Sequence, residues 1–305
     1  MSFLSARLSA RLSARLTTSL TGCFALSAAA ALSFASLPAL AQVTGHDWQK
    51  SYSLSGSGSL TIETGDSGLD IQSCGDCKAI RIQVHSGHEL SSYRLEERQE
   101  GDHVFFSFKE KPNFGFHVNW NTEGTKVTVE TPAHLDLDAK TADGNLTARE
   151  LTGNLRVHSG DGSVTLEDVH GDLRLGSSDG NVMIRRATGT LEARGEDGQM
   201  TIDGQFTGVQ LHTSDGNLDF TLAAGSQLNA ASRIDSSDGQ VIVHVPSNLA
   251  ADLDVSTSDG RLDCNLPLTM DHYDGSGNHL HGHMNGGGTP LSVHTSDGNV
   301  RIAAI

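Results

Sequence analysis

Residues 155–184 read LRVHSGDGSVTLEDVHGDLRLGSSDGNVMI, and the fold follows from how this stretch repeats. Leu155 and Val157 stand six and four residues before Asp161, and Val164 and Leu166 stand three and five after it. Leu173 and Leu175 take the same places before Asp179, as do Val182 and Ile184 after it. Apolar residues at every second position mark a strand with one buried side, so each unit predicts two short strands joined at Asp-Gly. Outward from this stretch, Asp-Gly recurs at Asp143, Asp161, Asp179, Asp197 and Asp215 with a constant interval of 18 residues. Asp238, Asp259 and Asp297 continue the series at intervals of 23, 21 and 38. A second turn falls inside each unit, at Leu151-Thr152-Gly153, Val169-His170-Gly171 and Ala187-Thr188-Gly189, which leaves no room for a helix of ordinary length.

Two all-β arrangements suit this pattern. A parallel β-solenoid winds about 18 residues into each coil and stacks equivalent residues roughly 4.8 Å apart. An antiparallel β meander folds each Asp-Gly into a hairpin, but it leaves one long apolar face with nothing to cover it. The solenoid closes that face on itself, and coils in register need equal perimeters, so the constant interval favours it. Small residues two before each Asp (Thr141, Ser159, Ser177, Gly195, Thr213, Ser236, Thr257, Thr295) suit a tight corner. The Gly after each Asp is expected to supply the left-handed conformation. Asn145, Asn181, Asn217 and Asn299, two after the Asp, are expected to hydrogen-bond along the stack.

The chain divides into residues 1–41, 42–131 and 132–305. The first part has Arg7, Arg11 and Arg15, an apolar run from Leu20 to Leu40, and Ala39-Leu40-Ala41 before Gln42. That is the pattern of a secretory signal peptide cleaved after Ala41, giving a periplasmic or extracellular protein. Leu20-Thr21-Gly22-Cys23 is a weaker, lipoprotein-like alternative, because the apolar run lies mostly after Cys23. No later stretch is apolar for long enough to span a bilayer. Residues 42–131 read as an irregular N-terminal β cap. Tyr93 to Lys109 is a hairpin around Glu100-Gly101-Asp102, and Phe105, Phe106, Phe108, Phe114, Phe116 and Trp120 are there to close the apolar end of the stack. Residues 132–305 are the Asp-Gly repeat solenoid, with the insertion Leu266 to Thr289 expected as a loose cap beside its last coil.

Lys and Arg number 21 against 37 Asp and Glu, a formal net charge of −16, and the leader holds three of the cations. Such an acidic chain is unsuited to nucleic acid, whose phosphates need Lys and Arg. The Ser/Thr-Ser-Asp-Gly-Asn repeats, the leader and the closing Asn285-Gly286-Gly287-Gly288 with Thr295-Ser296-Asp297-Gly298-Asn299-Val300 resemble the bacterial β-strand-repeat family labelled "putative adhesin", of unknown function. The resemblance runs from about Ser51 to Ile305. It implies a β-helix-like domain outside the cytoplasm and carries over no catalytic residue.

Candidate chemistry is sparse. Stacked Asp carboxylates about 4.8 Å apart repel by roughly 0.9 kcal/mol per pair even in water. Either each binds its own turn backbone, or a cation such as Ca²⁺ bridges the row; the glycine-rich calcium-binding repeat is missing, so a structural turn is expected. Cys74-Gly75-Asp76-Cys77 predicts a small disulfide rather than a zinc or redox site, and Cys264 falls in an apolar ladder slot, so it is expected in the core. His272, His279, His281 and His283 offer metal-binding types, but their Gly, Asn and Asp neighbours predict a flexible surface loop with only adventitious affinity. Cationic residues look scattered apart from Arg185-Arg186, and no Ser-His-Asp spacing stands out. The reading is a non-enzymatic exported structural or adhesion module of the cell envelope, with a glycan or protein ligand, no cofactor, no assigned catalytic, cofactor or metal residue. The alternative is a polysaccharide-acting enzyme on a β-helix scaffold, whose mark would be a cleft of mixed charge.

Overall fold

The computed structural model describes residues 41–112, 124–273 and 277–305. Phe114, Phe116 and Trp120, and the leader with Cys23, lie outside the described residues. The chain winds as a parallel solenoid. Strands running into the Asp-Gly corners make one ladder (called inbound), and strands leaving them make a second (outbound). Leu155 pairs with Leu137 and Leu173, and Leu191 with Leu173 and Val209, all parallel and in register. Val164 pairs likewise with Leu146 and Val182 in the outbound ladder. Leu155, Leu173 and Leu191 point inward with Val164, Val182 and Met200, and all are buried in one continuous core. The 18-residue interval is therefore one coil, and the meander is not formed.

The corner explains the residue choices, with one change from expectation. The Asp-Gly glycines do not take the left-handed region. They are required by close approach instead: a Cβ on Gly162 would stand 2.1 Å from the carbonyl oxygen of Gly144, and Gly180 and Gly198 meet the previous corner in the same way. The left-handed residues lie at the second corner, where Glu150, Asp168 and Arg186 have φ of 58°, 54° and 52°. Across the Asp-Gly turn the buried hydroxyls of Thr141 and Ser159 donate to the carbonyls of Gly144 and Gly162 at 2.9 and 2.6 Å. Gly195 has no hydroxyl, and the Met200 side chain fills the space. The Asn amides bind between coils, but to backbone: Asn145 Oδ1 accepts from the N–H of Ser163, and Asn181 Oδ1 from that of Gln199.

The order of coils in space differs from their order in the chain at both ends. Ser232–Ser236 pairs with Thr289–Thr295, which then pairs with Ala251–Thr257. The last coil of the chain is thus sandwiched, and the Asp259 coil ends the stack. The long intervals of 21 and 38 are the excursion to that outer coil and back. At the other end Gly58–Thr64 lies between His103–Glu110 and Leu135–Thr141. Coil stacking therefore crosses the 131/132 boundary, and only the outermost N-terminal strands are antiparallel. Tyr93–Glu100 covers His103–Glu110, and Ala79–His85 covers Lys126–Thr131. Phe106 packs on Trp48 and Phe108 on Tyr93, with ring centroids 5.2 and 4.5 Å apart. The insertion does act as a cap, though as paired strands: His279–Met284 pairs antiparallel with Ala251–Thr257 and with Leu268–Tyr273. It covers the Asp259 coil, not the coil of Leu291 beside which it was expected.

The corner geometry makes a graded prediction. Gly180→Ala forces a methyl into the Gly162 carbonyl and is expected to cost about 2–3 kcal/mol in denaturant unfolding. Asn181→Ala strands one N–H near solvent and is expected to cost about 1 kcal/mol. Equal, small losses at the two positions would contradict close approach as the reason for glycine.

Candidate functional site

The outer face of the inbound ladder carries two columns of side chains set by the 18-residue coil. In one, Asp138, Arg156, Arg174, Glu192 and Gln210 follow one another on neighbouring strands. In the other, the order is Lys140, His158, Gly176, Arg194 and His212. Between them lies a groove of about 650 Å³, which falls in the size range of small-ligand sites. Gly176 makes its notch, since the column has no side chain there; a Cβ would meet His158 Nδ1 at 2.9 Å. The flanks are Arg156, Arg174, Arg194 and Lys140, over a floor that includes Val157 and Leu175. No Phe, Tyr or Trp lines the groove.

Ion pairs in the groove are uneven. Glu192 takes Arg194 at 2.5 Å and Arg174 more loosely at 3.6 Å, while Lys140 reaches Asp138 only at 3.9 Å. Among the described residues Arg156 has no carboxylate within ion-pair distance, and it stacks directly beside the like-charged Arg174. Toward the second corner, Asp136 accepts from Asn154 at 3.0 Å and Asp172 from Thr190 at 2.6 Å. The cations that look scattered along the chain are thus gathered by winding. Their signal in the sequence is the same interval that sets the fold: 138, 156, 174 and 192 in one column, and 140, 158, 176 and 194 in the other.

Other candidates resolve differently. All eight corner aspartates are exposed, and the N–H groups of the seven from Asp161 onward bind carbonyls of the neighbouring coil, as Asp161 does to Ala142 at 3.1 Å. Arg186, one of the adjacent pair, is absorbed by Glu167 and Asp168 of the previous coil, at 2.8 and 2.6 Å. Those contacts hold both carboxyls below their usual range, chiefly through the hydrogen bonds from Arg186. The histidines do not sit on a loop. His279, His281 and His283 alternate along one strand of the capping hairpin, with the side chain of His272 outside the described residues. His279 Nε2 lies 3.1 Å from Asp254, and His283 Nδ1 lies 2.7 Å from Asp252. Among the described residues no three His, Cys, Asp or Glu converge on a common metal position. Ser256 Oγ meets His294 Nδ1 at 3.0 Å, with Asp235 on the next strand. Asp235 instead pairs with Arg233 through one oxygen, and its other oxygen has no partner, so no triad forms.

A family model described as Toastrack DUF4097 matches residues 55–303, nearly the whole described unit. The chain belongs to the Toastrack family. Solved structures that the chain is similar to include one described as a putative adhesin from Parabacteroides merdae ATCC 43184, at 14% identity and TM-score 0.43, covering 85% of this chain and 97% of that one. Two others are a putative adhesin from Bacteroides fragilis NCTC 9343 (10% identity, TM-score 0.39, 85% and 98% covered) and a putative cell adhesion protein from Clostridium sporogenes ATCC 15579 (10%, 0.29, 85% and 99%). No curated protein matches the sequence. Among the described residues of this Toastrack chain, no helix is long and apolar enough to cross a membrane.

Both cysteine expectations can be placed on the Toastrack coil. Cys74 and Cys77 are disulfide-bonded across their two-residue loop. Cys264 does occupy the ladder slot, paired with Ile302, but the Asp259 coil is the end of the stack, so it is half-buried rather than in the core. Burial pushes its thiol pKa up.

The hairpin gives a pH prediction. Asp252 is held below the usual carboxylate value of 3.8, first by the Gly288 N–H and then by His283. A depressed carboxyl pKa stabilises the fold above the unfolded-state value, and that contribution is lost as pH falls through the folded-state value. Amide exchange along His279–Met284 is therefore expected to speed up, relative to the central coils, as pH is lowered below about 4. Asp252→Asn is expected to remove that difference; an unchanged profile would mean that the carboxylate does not hold the hairpin.

Proposed function

We propose that this Toastrack protein is an exported, non-enzymatic binding module of the cell envelope that takes a glycan or protein ligand in the groove over Gly176. The groove carries the reading: it is a concave, mixed-charge site on an otherwise regular scaffold. Export is supported by the leader pattern before Gln42 and by the Cys74–Cys77 disulfide, which suits an oxidising compartment. A Ca²⁺ role for the corner aspartates is not needed to hold the stack, since the backbone bonds between corners already do so.

Mixed charge in a cleft is also what an enzyme acting on polysaccharide would offer. Binding is the better reading because Glu192 is engaged by two arginines and Asp138 faces Lys140, which leaves Glu196 as the one lining carboxylate outside an ion pair among the described residues, where glycoside hydrolysis takes a pair. Ion pairs this exposed are worth about 0–1 kcal/mol, so a ligand can exchange them at little cost.

Gly176→Phe fills the notch on an exposed strand face. The variant is expected to melt like the wild type yet lose retention on isolated cell-envelope fragments, while the wild type is retained. Neither protein should release new reducing ends from envelope polysaccharide. Wild-type retention by the variant would remove the groove as the site, and steady release of reducing ends would replace the binding module with the enzyme.

A further inference from the structure

Resting on the groove as the binding site, we propose that its ligand is an acidic oligosaccharide, a chain of sugar units bearing carboxylates as well as hydroxyls. Three observations carry this. The first is charge placement. The whole chain has 37 acidic against 21 basic residues, yet the groove gathers Lys140, Arg156, Arg174 and Arg194 against Asp138, Glu192 and Glu196. The lining is thus cationic by one charge where the chain as a whole is anionic, so an anion in the groove meets the arginines at short range.

The second is the state of the arginines. Arg156 and Arg174 stand on adjacent strands at the ladder spacing of about 4.8 Å, flanked in the same column by Asp138 and Glu192, so two guanidinium groups leave one face side by side. Arg156 lacks a carboxylate partner among the described residues, and Arg174 holds Glu192 at 3.6 Å, longer than a good charge-assisted bond. A planar guanidinium matches a carboxylate through two parallel N–H donors, and two of them side by side can each take one.

The third is what surrounds them. Asp136 and Asp172, beside the arginines, already accept hydrogen bonds from Asn154 and Thr190, and their remaining lone pairs can accept ligand hydroxyls. Carboxylates interleaved with cations repel a dense polyanion such as a nucleic acid or polyphosphate. They suit a ligand that alternates one negative group with several O–H donors. With no Phe, Tyr or Trp in the lining, the groove lacks the broad carbon ring face on which a neutral sugar stacks. His158 leans over Gly176 and borders the notch, adding a further polar edge.

The test is titration calorimetry on the mature chain with a short oligogalacturonate, its full methyl ester and inorganic sulfate. The acid form is expected to bind, more weakly as salt rises, with the ester at least roughly tenfold weaker. Arg156→Ala and Arg174→Ala are each expected to weaken the acid form by roughly tenfold, and Arg301→Ala, on the far ladder, to leave it unchanged. Equal affinity for acid and ester, or arginine variants that bind like the wild type, would overturn charge recognition. So would failure of the acid form to bind at all. Sulfate displacing the oligosaccharide at equal concentration would reduce the site to a simple anion site and overturn the saccharide class. None of these results touches the groove itself, which stands or falls on Gly176→Phe and envelope retention.

Discussion

Every coil turns its corner over the backbone of the coil before it, and the space there is too small for a side chain. The carbonyl of each corner glycine stands where the next coil's Cβ would be, while the neighbouring Asp N–H binds a carbonyl across the same gap. That approach fixes the register of the stack. Where corners are locked and successive coils keep 18 residues, each apolar pair falls on the pair below and the outward residues form straight columns. The groove is a product of the same constraint, because Arg156 and Arg174 can be neighbours only if successive coils have equal length.

The ends of the stack show how the chain protects such a structure. An open coil edge exposes unpaired backbone groups, and a terminal coil is the easiest to fray. Here both chain-terminal coils lie one place in from the end. Gly58–Thr64 has a partner on each side, and so does Thr289–Thr295. The outermost inbound strands are then covered by antiparallel strands, Tyr93–Glu100 at one end and His279–Met284 at the other. The histidines of the latter, facing Asp252 and Asp254, belong to this fastening. The outbound ladder is less well closed at the far end, where among the described residues Leu262–Asn265 pairs only with Val300–Ala304 and Cys264 stays half-buried.

Much of the architecture was legible in the sequence, because period two and period 18 are both one-dimensional signals. Leu155, Leu173 and Leu191 announce the core without any structure. The reason for the corner glycines was not legible, since a left-handed turn and a close approach leave the same residue behind. Nor was the order of the last coils, which depends on whether a hairpin or a coil fills an interval of 38. The groove was written in the sequence but in the wrong dimension for a linear reading. Lys140, Arg156, Arg174 and Arg194 look dispersed until the chain is cut every 18 residues, and then they form two columns. Arg185-Arg186, which does look like a cluster, proves to be divided by the second corner, with Arg186 tied to Glu167 and Asp168.

The central claim is that residues one coil apart are neighbours and residues across an Asp-Gly corner are not. Paired cysteines test it directly in a Cys264→Ser background. Arg174→Cys with Glu192→Cys, adjacent in the parallel ladder, should oxidise to an intramolecular disulfide in the native protein. Arg174→Cys with Met183→Cys, which an antiparallel hairpin at Asp179 would place face to face, should remain as two free thiols. The reverse pattern would contradict the solenoid and, with it, the columns that build the groove.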